Sequence, residues 1–269
     1  MNTFGDLSLL NSLKGFLTFC IGDKMCVPET EVKQDDAIFE LVGVLLGDGY
    51  IYFRPPWYRI EISGNSTEDL PYFQDYLLLL LQNLSGREVH LRRCYDKKGS
   101  SIRLVLNSKK FVTHLVKEIG LVYGKRKAEL AEVPDGLLSA GWKMTRLILR
   151  GFADTDGSLF FGRKGTYRKY LYPTIELKSV SIKLLKQFKV LLQSSGFAPR
   201  LRRGHKSKAS VLYLSGRKQL SMWINEIGFS NPKHLTKYQV WKKIGYCPPR
   251  TTLRDRLQIL LTEPGWPSR

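Results

Sequence analysis

A nine-residue stretch that occurs twice limits what this chain can fold into. The first copy is Leu41-Val-Gly-Val-Leu-Leu-Gly-Asp-Gly49 and the second is Leu149-Arg-Gly-Phe-Ala-Asp-Thr-Asp-Gly157, so both end in Asp-Gly, at Asp48 and Asp156. The offset between the acids, 108 residues from 48 to 156, recurs outside the motif: Leu106 matches Leu214, Glu118-Ile-Gly120 matches Glu226-Ile-Gly228, and Lys125 matches Lys233. Self-similarity held at one period marks an internal duplication.

Residues 37 to 47 are apolar nearly all round over a length that suits a helix, the pattern of a helix buried on more than one side. Gly43 and Gly47 lie four apart on one face, as do Gly151 and Thr155. Small residues at that spacing let two helix backbones approach closely, which predicts one central seam between the copies and a pseudo-twofold axis inside a single chain. Gly49 and Gly157 then take the place of left-handed cap residues. Asp48 and Asp156 fall at the negative ends of the helix dipoles, which is unfavourable by roughly 0.3–1 kcal/mol each. Two such acids side by side repel further, and the arrangement makes sense if cations sit between them.

A chain of 269 residues with 43% hydrophobic content can bury a substantial core, as one large domain or two small ones. Lysine and arginine outnumber the acids 43 to 24, a net charge of +19 that calls for a polyanionic partner, most economically nucleic acid. No apolar run reaches the roughly 18–20 residues of a membrane-spanning helix, and the positive charge is scattered over strand-like segments instead of lining one amphipathic helix. No membrane association is expected. Cys20, Cys26, Cys94 and Cys247 show no C-x-x-C spacing, which speaks against zinc. A Cys20–Cys26 pair is one alternative; reduced thiols in an intracellular protein, in the cytoplasm or an organelle matrix, is the reading adopted. Residues 9 to 21 are only mildly apolar and have no basic start or small-residue cleavage site, so they read as an added helix or arm and not as a secretory signal.

After Asp48 the pattern changes to period two. Residues 50–54 and 57–63 read as a hairpin through Pro55-Pro56, residues 67–84 with the run Leu77 to Leu81 as a packing helix, 87–95 and 101–106 as a second hairpin, and 109–119 as a helix. The second half repeats this as a helix over 137–155, strands near 158–164 and 169–179, a helix over 182–194, strands at 199–204 and 209–215, and a helix over 217–227. The chain thus divides into an N-terminal extension (1–35), a first repeat (36–120), a linker (121–136), a second repeat (137–245) and a C-terminal extension (246–269) with a short helix at 252–261. The fold class is α+β, a duplicated αββαββα unit in which each half forms an antiparallel sheet with helices on one face.

The two stretches resemble the paired signature motifs of single-chain LAGLIDADG homing endonucleases, and the resemblance covers about residues 36 to 245. The departures are Leu46, where that family often has a first acid that Asp154 keeps, and Arg150 in place of a small residue. The resemblance implies a monomer whose two sheets form a DNA-binding saddle, and a site-specific double-strand break in a long asymmetric target by an enzyme encoded within an intron or an intein.

Phosphodiester hydrolysis needs divalent cations that activate water and stabilise the transition-state charge. Asp48 and Asp156 are hard oxygen donors suited to Mg²⁺ or Mn²⁺, which keep several waters, and Gly47 and Thr155 beside them complete the candidate metal set. The resemblance also implies a basic residue near each scissile phosphate. Lys125 and Lys233, at equivalent offsets, are the first candidates, and Lys178, whose counterpart is Ser63, is the second. Asp154, two residues before Asp156 and so rotated about 200° from it around a helix, reads as a near-site acid and not a direct ligand.

Alternation places the DNA-facing residues opposite Ile60, Ile62, Leu104, Leu106, Ile175 and Leu177. In the first half these are Tyr52, Arg54, Arg59, Glu61, Ser63, His90, Arg92, Arg103 and Asn107; in the second they are Lys164, Thr174, Glu176, Lys178, Arg200, Arg202 and Tyr213. Two other functions compete. A maturase would use the same fold to bind intron RNA and assist its splicing, and a DNA-binding regulator would keep the saddle without cutting. Retention of both Asp48 and Asp156 argues against the regulator, because a binder has no need of paired acids that repel.

Overall fold

The computed structural model describes residues 34–96, 99–163, 171–204 and 208–262. Lys164, Cys20, Cys26 and the arm proposed at residues 9–21 lie outside the described residues.

Two helices form the centre, Gln34–Leu46 and Trp142–Asp156. Leu41, Val42, Val44, Leu45, Ile148, Leu149, Phe152 and Ala153 are all buried along them. The expected close approach is reciprocal. A β-carbon at Gly43 would meet the Ile148 carbonyl oxygen at 2.1 Å and the Phe152 nitrogen at 2.8 Å, while one at Gly151 would meet the Glu40 carbonyl oxygen at 2.1 Å and the Val44 nitrogen at 2.9 Å. Residues 40, 43 and 44 map onto 148, 151 and 152 at the repeat offset, so the contact is its own image under the twofold.

The sheets are images as well. Each has four antiparallel strands, ordered β1-β2-β4-β3 and β5-β6-β8-β7. They comprise β1 (Gly49–Arg54), β2 (Trp57–Asn65), β3 (His90–Asp96), β4 (Gly99–Asn107), β5 (Gly157–Gly162), β6 (Tyr172–Ser179), β7 (Arg200–Arg202) and β8 (Ser210–Ser215). Across the first sheet Ile51 pairs with Ile60 and Ile60 with Leu106; across the second Leu159 pairs with Ile175 and Ile175 with Leu214. Those side chains are buried against the helices, and the expected α+β duplication is the architecture observed.

Four expectations need correction. Gly49 and Gly157 are not left-handed caps: each opens a strand, Gly157 at φ −94° and ψ 167°. Glycine is needed there because a β-carbon would lie 2.6 Å from the Leu45 α-carbon or 2.3 Å from the Ala153 carbonyl oxygen, where the chain folds back over the last helical turn. The helix expected over 137–155 is broken. Asp135–Leu138 ends before Gly141, whose φ of 80° suits glycine, and Trp142–Asp156 starts afresh. The helix expected from 67 starts at Leu70 and runs to Ser85 with a π-helical turn at Phe73–Leu77, because Asn65 Oδ1 accepts from the nitrogens of Thr67 and Glu68 and holds those residues in a turn. The second half also has a further helix, Pro232–Ile244, started by Asn231 and capped by left-handed Gly245. The C-terminal helix Leu253–Leu261 has a capping box between Thr252 and Asp255 and packs on Pro232–Ile244.

Candidate active site at the end of the seam

Asp48 follows the first seam helix in a turn whose carbonyl accepts from the Ser63 nitrogen at 3.3 Å, and Asp156 is the last residue of the second. The helix ends touch: a β-carbon at Gly47 would lie 2.2 Å from Thr155 Oγ1 and 3.5 Å from the Asp156 nitrogen. Both acids keep solvent-accessible surface, yet protein hems them in. Burial, then repulsion from Asp156, pushes the Asp48 carboxyl up to about 7. Burial also raises Asp156, opposed by the charges of Lys127, Lys233 and Lys178.

Lys127 is the basic group that sequence reasoning missed. Its side chain is buried, and its Nζ donates to the carbonyl oxygens of Gly47 at 2.7 Å and Gly49 at 2.9 Å. Burial lowers it to about 8, against the pull of Asp156 and Asp48. Lys125 is exposed two residues away and is not among the charges that act on either acid. The repeat offset misleads because the short helix Lys127–Leu130 in the linker and the helix Pro232–Ile244 approach the site differently. Spacing from each acid does not find it either: Lys233 is 77 residues past Asp156, the residue 77 past Asp48 is Lys125, and Lys127 lies 79 past.

Lys233 is held by a second carboxylate. Its Nζ is 3.0 Å from Asp69 Oδ1, which also accepts from Asn231 Nδ2 at 2.9 Å, while Asp69 Oδ2 accepts from the Asn65 nitrogen at 2.9 Å. Asn231 is fully buried and also donates to the Asp154 carbonyl at 3.0 Å. Asp154 is turned away from the cleft. Its carboxylate accepts from the nitrogens of Ser230 at 2.8 Å and Asn231 at 3.1 Å, and burial together with Glu40 pushes it up to about 7. Arg150, the departure from the motif, forms a buried ion pair with Glu40. The Thr155 hydroxyl donates back into its own helix, to Gly151 and Phe152, and the Gly47 carbonyl is engaged by Lys127. The two aspartates are the anionic oxygen donors at the helix ends.

On the outer face of the first sheet, Glu61 binds Arg59 at 3.3 Å and Arg103 at 3.2 Å, and Arg59 donates to Asn107 at 2.8 Å. Tyr52, Arg54, Ser63, His90 and Arg92 are exposed, as are Lys178, Arg200 and Arg202 in the second half; Glu176 and Tyr213 are half-buried. Thr174 departs from the alternation and is buried, because it lies between Phe160 and Ser215 on the neighbouring strands.

Residues 143–228 match the family model described as a LAGLIDADG-like domain. Among solved structures, the chain is similar to I-DmoI in complex with DNA and Mn, with a TM-score of 0.50 and 14% identity over 72% of this chain and 97% of that one. It is also similar to the I-LtrWI LAGLIDADG homing endonuclease bound to target DNA, with a TM-score of 0.52 and 11% identity over 79% and 90%. Two curated proteins of Thermococcus kodakarensis match as well. They are a probable translation initiation factor IF-2, 27% identical over 197 residues, and a replication factor C small subunit, 24% identical over 223 residues. The matches cover 72% and 80% of this chain but only 14% and 22% of those relatives. The chain therefore carries a LAGLIDADG-like domain at residues 143–228 and has the two-sheet fold of the LAGLIDADG homing endonucleases.

Proposed function

We propose that this chain is a homing endonuclease that makes a double-strand break in a long, asymmetric DNA target by divalent-cation-dependent hydrolysis. The observation that carries the reading is the pair Asp48 and Asp156, brought together at the end of the seam with Lys127 and Lys233 acting on both. Two carboxylates whose charges burial and mutual repulsion disfavour suit a hard cation such as Mg²⁺ or Mn²⁺. Among the described residues no group of three or more histidines, cysteines or acids is placed to hold a metal ion, so a cation on this pair would be completed by waters and DNA phosphate. When bound, such a cation supplies an activated water and neutralises developing charge.

The chain's own groups do the rest. Asp48 and Asp156 hold the cation, one from each repeat, 36–120 and 137–245, so one copy carries both half-sites. Lys127 and Lys233 face the scissile phosphates and stabilise charge as it develops on their oxygens. The exposed arginines and lysines of the sheets grip the DNA backbone. The outward residues differ between halves, which suits an asymmetric target. The two curated relatives have unrelated duties yet share this segment over a small part of their length, which favours an element carried as an insertion, within an intron or an intein.

The test starts from duplexes selected for binding from a randomised pool in Ca²⁺ and cloned into a supercoiled plasmid. With Mg²⁺ the protein should convert that plasmid to linear product, and Asp48→Asn and Asp156→Asn should bind it without doing so. Unchanged cutting by either variant would refute the site assignment. Binding without cutting by the unaltered protein would make the chain a DNA-binding regulator.

A further inference from the structure

The two lysines of the site are held in chemically different ways. Among the described residues Lys127 is bonded to two neutral carbonyls, of Gly47 and Gly49, and to no carboxylate. Lys233 lies 3.0 Å from Asp69. Asp69 belongs to neither seam helix; it sits just after β2, before the helical segment that begins at Leu70.

Asp69 is itself fixed from several sides. Its two oxygens take Asn231 Nδ2 and the Asn65 nitrogen, both at 2.9 Å. Its neighbour Glu68 is clamped by the C-terminal helix, accepting from the Leu253 nitrogen at 2.7 Å and from the buried Arg256 at 2.5 Å. A carboxylate with that many donors is preorganised, and an ammonium bonded to it loses the freedom that a lysine on a four-carbon stem otherwise has.

We propose that Asp69 is a positioning residue for one half-site only: its carboxylate fixes the Lys233 ammonium, while the half-site served by Lys127, which is bonded to backbone carbonyls, works without it. The inference rests on the nuclease reading above. It makes the two strand cuts chemically unequal, so a fault at Asp69 stalls the reaction after one of them. The charge of Asp69 also bears directly on the Asp48 carboxyl, and the experiment reads the part of its effect that goes through Lys233.

The experiment follows supercoiled plasmid carrying the selected target, with the two strands labelled separately, for the unaltered protein, Asp69→Asn, Lys233→Met and the double variant. Asp69→Asn should slow the strand that Lys233→Met slows by about tenfold or more, since small misplacements of a catalytic group are costly. The other strand should stay within about twofold, so that nicked circles accumulate. The double variant should be no slower than Lys233→Met, because a residue acting through Lys233 adds nothing once it is gone. Equal slowing of both strands, or a further loss in the double variant, overturns the proposal. Should Asp69→Asn not fold, Asp69→Glu carries the same comparison, with a smaller effect on the same strand expected. If the unaltered protein cuts no DNA, the nuclease reading has failed. A crystal structure of Asp69→Asn then decides the positioning role alone: Lys233 Nζ swung away from residue 69 supports it, and an unmoved Nζ overturns it.

Discussion

Gly43 and Ile148 stand so close across the seam that a β-carbon on the glycine would lie 2.1 Å from the isoleucine carbonyl oxygen. In an exposed helix, glycine to alanine gains up to about 1 kcal/mol of helix propensity. Here two rigid backbones must part, so Gly43→Ala should cost about 3 kcal/mol or more by denaturant unfolding, and Gly151→Ala, its image, about as much. Gly136→Ala, with nothing within 4 Å of its added carbon, should be neutral or mildly stabilising. Equal behaviour at all three positions would contradict the seam.

Lys127 and Lys125 separate the structural reading from the one made by repeat offset. Lys127→Met removes the ammonium bonded to Gly47 and Gly49 and should lower the cleavage rate by about a hundredfold or more with DNA binding retained in Ca²⁺. Lys125→Met, on an exposed side chain, should change the rate only about twofold. The reverse ranking would remove Lys127 from the site.

Asp48 links stability to pH. Its carboxyl is raised from 3.8 to about 7, so in the folded chain it prefers to keep its proton. Stability from the protonated form is therefore complete below pH 3.8 and is lost as pH rises to about 7, and relative to a neutral side chain there the ionised acid carries a constant penalty above that. Asp48→Asn should raise the melting temperature at pH 8 in EDTA by the equivalent of roughly 1 kcal/mol, a value discounted because the carboxylate remains open to water. The gain should vanish near pH 4. Added Mg²⁺ should stabilise the unaltered protein and leave Asp48→Asn/Asp156→Asn unmoved. A variant less stable than the parent at pH 8 would show that burial and the repulsion from Asp156 do not disfavour the Asp48 carboxylate.

Glu40 and Arg150 form a buried ion pair beneath the seam, with Tyr76 donating to Glu40 at 2.7 Å and Ser230 at 2.9 Å. Glu40→Met strands the guanidinium without its anion and should cost about 3–5 kcal/mol. Replacing both residues by methionine should recover at least about half of that in a double-mutant cycle. A fully additive double variant would mean that the pair is not coupled.

Much of the fold was legible in the residues because it depends on periodicity. The repeated Gly-x-x-x-Gly and Gly-x-x-x-Thr faces fix which sides of two helices can meet, and alternation at Ile60, Ile62, Leu104 and Leu106 fixes which side of a sheet is buried. The paired aspartates follow from the same repeat, since a duplicated helix end arrives twice at one axis. What the repeat could not reveal is whatever differs between the halves. Thr174 alternates outward yet is covered by its cross-strand neighbours, and the break before Gly141 depends on a turn whose signal lies inside an apolar run.

The sequence by itself therefore determined a duplicated α+β chain with two acids on its axis and a strongly basic surface, because backbone geometry converts spacing directly into faces. The repeat also named Lys233, and only the tertiary structure decided that Lys127 and not Lys125 joins it beside those acids. Lys127, Lys233, Asp69 and Asn231 come from a linker, a helix start and a loop. Their meeting depends on how non-repeating segments cross the twofold, a long-range arrangement that no local period encodes.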